Sequence, residues 1–137
     1  TASDFEFLPV DVNLQRCQRY YETSFQIGTA PAEGLSYTLA GLFSSLTSYS
    51  SSISRVNYFY KTVKRASPSL IFYNTTGLGA GTTTGRWQIY DGGWSQSTGA
   101  VSSAQSYQNY VQVEVTDTYT VGNSYIVGGG LAADAEL

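Results

Sequence analysis

Apolar and polar residues alternate along most of this chain with a period of two, the spacing of strands that bury one face. Tyr21, Thr23 and Phe25 alternate with Tyr20, Glu22 and Ser24. After a loop over 28–34 that contains Pro31, the period resumes with Leu35, Tyr37 and Leu39, and a Ser-rich stretch over 44–54 then breaks it. Val56, Tyr58 and Tyr60 lie opposite Asn57, Phe59 and Lys61. Pro68 opens a further strand over 69–74, because proline is tolerated at a strand's first residue. Trp87 and Ile89 lead into Asp91, Gly92 and Gly93, a tight-turn signature, and Trp94 follows. Val111, Val113 and Val115 alternate with Tyr110, Gln112 and Glu114, and a last strand signal over 125–127 stops at Gly128, Gly129 and Gly130. One segment breaks the rule. Asp11 can cap a short helix over 12–19 by accepting the orphan N–H groups of its first turn. Val12, Leu14 and Cys17 would dock that helix on a sheet.

About seven or eight short strands separated by turn signals predict an all-β chain, folded as a β-sandwich with a short N-terminal helix. The first ten residues, with Phe5 and Phe7 alternating ahead of Pro9, read as an extended arm. Such an arm either adds to a sheet edge or packs on a neighbouring subunit. Residues 11–137 then form a single domain, long enough to bury a core. Composition agrees: 15% of the chain is aromatic, with 12 Tyr, and these residues fit a pleated, half-buried surface.

Charge changes the picture. Only 12% of residues are charged, whereas a small monomer covers itself with roughly a quarter to a third. Some uncharged surface is therefore expected to be buried against other copies, or to be a polar face of Ser, Thr and Tyr. The net charge is −3 and no basic run extends beyond Lys61, Lys64 and Arg65, so no nucleic-acid partner is expected. No apolar stretch has the length of a membrane span, the start shows no signal-peptide pattern, and no membrane insertion is expected. The single Cys17 forms no intrachain disulfide.

Candidate chemistry is sparse. The chain has no His, which removes Ser–His–Asp triads, Cys–His pairs and His-ligated metals. Paired carboxylates remain possible as Asp91 with Glu114 or Asp117, but an Asp before Gly-Gly is commonly a turn former. No enzyme activity, metal or cofactor is expected. The glycine run over 77–81 lacks the following helix of a nucleotide-binding fingerprint and reads as a loop.

A sugar site is the stronger expectation. Trp87, Tyr90, Asp91, Trp94, Ser95 and Gln96 gather aromatic rings, a carboxylate, a hydroxyl and an amide around one turn. Rings support the apolar face of a sugar while polar groups fix its hydroxyls, and loops on a rigid sandwich are a usual place for such binding. Trp87 also fits a core position, since it alternates with Ile89. Tyr107, Asn109 and Tyr110 form a second cluster of the same type.

Four segments carry a more specific signal. They are FEFLP at 5–9, NLQRCQRYYE at 13–22, KRASPSLIFYN at 64–74 and ADAEL at 133–137. In that order they resemble the C-terminal domain of bacteriophage tail fibres and related virion fibre proteins. There a short apolar lead-in precedes a CQRYYE element, an MRAAPTVTLY-like strand lies mid-domain, and an ADAEL-type end closes the chain. Lys64 departs from the more usual Met before Arg65, which puts the local packing in question. The resemblance implies a jelly-roll-like sandwich, a homotrimer, and a non-enzymatic fibre tip for host-surface attachment. The implied partners are other copies, an upstream fibre or virion protein, and a host glycan or protein receptor. It also implies a virion location, on a tail fibre or capsid surface, for a protein made in bacterial cytoplasm. A structural capsid-associated fibre or decoration protein is the alternative. Phe5, Phe7, Arg16, Arg19, Tyr20, Tyr21 and Arg65 are read as trimer or fold contacts rather than receptor contacts, because arginine's planar fork suits fixed ion pairs.

Overall fold

The computed structural model describes residues 9–76 and 83–136. The arm with Phe5 and Phe7, the glycine run over 77–81 and the terminal Leu137 lie outside the described residues. The chain is mostly strand: α1 (Val10–Gln18), β1 (Tyr21–Thr23), β2 (Leu35–Ser36), α2 (Tyr37–Ala40), β3 (Leu42–Thr47), β4 (Ile53–Phe59), β5 (Ser69–Tyr73), β6 (Thr75–Thr76), β7 (Gln88–Tyr90), β8 (Trp94–Gln96), β9 (Ser102–Ser106), β10 (Tyr110–Thr116) and β11 (Ser124–Asp134).

The strand β11 organises the larger sheet. Its first half pairs antiparallel with β3 and β7, its second half with β5 and β1, and β8 adds to β7. A second antiparallel sheet runs β4–β10–β9, and β2 pairs parallel with β6. The two larger sheets share one core. Val56, Val111, Val113 and Val115 of the three-stranded sheet meet Ile89, Val127, Leu131 and Ala133 of the six-stranded one, with Trp87 just ahead of β7. The three β10 valines are fully buried, each contributing on the order of 1.5 kcal/mol or more to folding.

Four expectations need correction. The helix starts at Val10 behind Pro9, so Asp11 sits inside the first turn and makes no side-chain cap bond. There its charge complements the helix dipole instead. No residue of α1 is buried, and Leu14 and Cys17 are exposed, so the helix is not seated on the sheet by that face. The alternation of Leu35, Tyr37 and Leu39 forms no long strand, because the Ser36 hydroxyl accepts from Thr38 N–H and starts α2. Finally, the Ser-rich stretch breaks strand structure only over 48–52, between β3 and β4. β3 runs to Thr47 with Leu42 and Leu46 against the core and Phe43 and Ser45 outward.

The glycine run also behaves differently from its sequence reading. Rather than ending a strand at Val127, β11 continues through Gly128, Gly129 and Gly130 to Asp134. A Cβ at these positions would collide with Phe43, Trp87 and Phe25 respectively. Three aromatic rings lie directly on bare backbone. That close approach is the reason for glycine here.

Candidate functional site

Three of the four segments that carry the resemblance meet at one junction. Tyr21 and Glu22 pair with Asp134 and Ala133, and Tyr20 carbonyl accepts from Ala135 N–H at 2.6 Å. Arg65 N–H donates to the Arg19 carbonyl at 2.9 Å, and its guanidinium lies 5.7 Å from the Tyr20 ring centre. Arg16 is exposed on α1. At the centre is Glu22, which is buried. Its carboxylate accepts from Lys64 Nζ at 2.6 Å, Tyr58 hydroxyl at 3.1 Å and Lys61 N–H at 3.0 Å. Lys64 Nζ also donates to the Gln18 carbonyl. Burial, followed by the Glu22 charge, holds the Tyr58 hydroxyl well above its ordinary pKa. The Glu22 carboxylate and Lys64 Nζ are both satisfied from other segments of the chain. The junction ties helix exit, mid-chain and C-terminal strand together.

The β7–β8 hairpin expected to carry the sugar site forms around Gly92, whose φ is +73°. The structure sorts its residues. Trp87 is fully buried, packs edge-on against Phe72 and donates its indole N–H to the Gly130 carbonyl at 3.3 Å. It is therefore a core residue and presents no ring to solvent. The Gln96 amide accepts from Asn74 and from Thr83 N–H, and donates to the Thr83 hydroxyl at 2.8 Å. It braces the loop rather than facing a ligand. Tyr90 and Trp94 remain on the outer face with ring centres 5.2 Å apart. Phe43 stands 5.8 Å from Trp94, and Tyr37 6.1 Å from Phe43. Phe43 was missed in sequence because its strand was obscured by serines. Asp91 is exposed at the turn. Beside it a hollow of about 260 Å³ is lined by Ser45, Tyr90, Asp91, Ser124 and Ile126 among others. Of the outer rings only Tyr90 lines this small open cavity, together with one carboxylate and two serine hydroxyls.

The second cluster is also assembled. Tyr107 and Tyr110 have ring centres 4.9 Å apart, and Phe59, another residue missed in sequence, lies 5.6 Å from Tyr110. Its signal was the alternation that sends Tyr58 inward and Phe59 out. Asn109 contributes its carbonyl to Tyr60 N–H at 3.1 Å, and its side chain is exposed. The candidate acid–base carboxylates are not brought together: Asp91 caps a hairpin of the large sheet, while Glu114 lies on the other sheet, 3.0 Å from Arg55. Among the described residues, no group of three or more His, Cys, Asp or Glu is gathered as metal ligands, and no helix is long and apolar enough to cross a membrane.

No family model matches the chain, and neither curated proteins nor solved structures provide a significant match.

Proposed function

We propose that this chain is a non-enzymatic tip domain of a phage virion fibre, attaching the particle to its host by recognising a surface glycan at the Tyr90–Asp91–Trp94 hairpin. The observation that carries this reading is the pair of partly exposed rings, 5.2 Å apart, of which Tyr90 also lines a hollow edged by Asp91, Ser45 and Ser124. The two rings, tilted 53° to each other, offer aromatic surface for the apolar face of a sugar, and the carboxylate and hydroxyls suit its rim. The order of the four resemblance segments supports the fibre assignment, and the meeting of three of them at the Glu22 junction gives them a common structural task.

Two finer points belong to the same proposal. The first is a jelly-roll-like arrangement, supported by the way the chain passes repeatedly between layers, from β3 to β4 to β5 and from β10 to β11. A jelly roll does not normally give one strand four partners, as β11 has, so the likeness is in layer switching. The second is a homotrimer, supported by the low charge and by the partly exposed aromatic face. Three linked weak sites would raise avidity by orders of magnitude.

Trp94→Ala tests the reading. Adsorption to host cells should fall while sedimentation still gives a trimer. If Trp94→Ala instead leaves only monomer, the aromatic face is a subunit contact. The alternative of a structural capsid-associated fibre or decoration protein is then favoured, since an uncovered aromatic face of this extent also suits burial against protein.

A further inference from the structure

The outer face of the β4–β10 pair carries an order of side chains that the hairpin reading does not use. The register sets Arg55 opposite Glu114, Asn57 opposite Gln112 and Phe59 opposite Tyr110. Their neighbours Val56, Val111, Val113 and Val115 point into the core, so all three pairs share the outward side. Each rung lies two residues from the next, about 7 Å along the strand. An ion pair, an amide pair and an aromatic pair therefore follow one another over roughly 14 Å, and Tyr107 extends the aromatic end. Phe59 is 66% exposed and Tyr107 43%.

We infer that this strip binds a neutral oligosaccharide, with one sugar ring over Phe59 and Tyr110 and the next hydroxyls on Asn57 and Gln112. The charge pattern selects the ligand. Arg55 and Glu114 meet at 3.0 Å and neutralise each other, so neither an anionic nor a cationic polymer finds an unmatched counter-charge along the rungs. The amides are joined by one long hydrogen bond, Gln112 Nε2 to Asn57 Oδ1 at 3.5 Å. Weak mutual pairing leaves exposed Asn57 and half-buried Gln112 able to accept from and donate to hydroxyls. An apolar protein surface would match the aromatic rung alone and leave the amide and ionic rungs desolvated without partners. A saccharide meets all three: an apolar ring face for Phe59 and Tyr110, hydroxyls for the amides, and further hydroxyls for a guanidinium and a carboxylate. The strip lies on a different sheet from the hairpin and stands without it.

The test uses the full chain and a panel of neutral hexasaccharides differing in sugar and linkage, with a sulfated hexasaccharide as the charged control. Binding is followed through the side-chain amide signals of Asn57 and Gln112. At least one neutral member should shift them saturably. Phe59→Ala and Tyr110→Ala should each weaken that binding by about tenfold or more, Gln112→Ala should weaken it measurably, and Trp94→Ala should leave it unchanged. Phe59 is mostly exposed, so its variant should keep the parent melting temperature. The inference is overturned if no neutral member produces a saturable shift, if only the sulfated one does, or if Trp94→Ala removes the binding while Phe59→Ala does not.

Discussion

Lys64 and Glu22 form an ion pair 2.6 Å long, with both side chains almost wholly shielded from solvent. They lie far apart in sequence, and their meeting joins β1 to the segment after β4. Isolated buried charges are costly, and a pair offsets that cost only when its remaining hydrogen-bonding groups are matched. Here Glu22 is matched by Tyr58 and Lys61 N–H, and Lys64 by the Gln18 carbonyl and the Tyr60 ring, 4.9 Å from Nζ. Lys64, which stands where the fibre domains this sequence resembles more usually have Met, thus carries a compensating partner.

Removing one member should therefore destabilise strongly. Lys64→Met leaves a buried carboxylate without its cation and should cost about 3–5 kcal/mol in urea unfolding. Glu22→Gln combined with Lys64→Met should recover much of that loss. A single-variant cost below about 1 kcal/mol would show that water already reaches the pair.

The glycines of β11 make a second prediction. Gly129→Ala places a Cβ against the Trp87 indole and should cost roughly 1–3 kcal/mol or more as overpacking. Gly93→Ala has open space around the new atom and should stay within about 0.5 kcal/mol. Equal costs in denaturant titrations would contradict the ring-on-backbone packing.

The two tryptophans should separate spectroscopically. Trp87 is fully buried whereas Trp94 is partly exposed, so iodide should quench only part of the fluorescence, and Trp94→Phe should abolish the quenchable part. Trp87→Ala should lower stability by about 3–5 kcal/mol. Quenching that persists undiminished in Trp94→Phe would place Trp87 at the surface.

Alkaline pH should unfold the domain through its buried phenols. Burial, with the Glu22 charge adding to it, pushes the Tyr60 pKa from 10.0 up to about 12. Burial likewise raises Tyr58 and Tyr119. A raised folded-state value means the folded form holds the proton more tightly. Stability should be level up to the unfolded value of 10.0 and fall as pH rises through about 12. Melting temperatures should decline across that window, with tyrosinate absorbance rising cooperatively. Tyr60→Phe should flatten the decline, and an unchanged profile would argue against its shielded state.

Strand content was legible from alternation alone, because side chains on a pleated strand must face opposite sides and the core takes only one of them. Val111, Val113 and Val115 announced β10 in that way, and Asp91, Gly92 and Gly93 announced the hairpin through turn chemistry. The absence of His likewise ruled out whole classes of site before any coordinate. Tertiary structure decided the rest. Serines in β3 and glycines in β11 carry weak local strand preference, and they become strand because neighbours supply ladder hydrogen bonds and rings need bare backbone to rest on. Which aromatic faced water was only partly legible: alternation with Ile89 favoured a core place for Trp87 but left Trp94 open, and the structure sets the one against Gly129 in the core and the other against Phe43 outside. Glu22 and Lys64 could be named from sequence as charged, but not as partners, because their pairing depends on long-range strand register that no local pattern encodes.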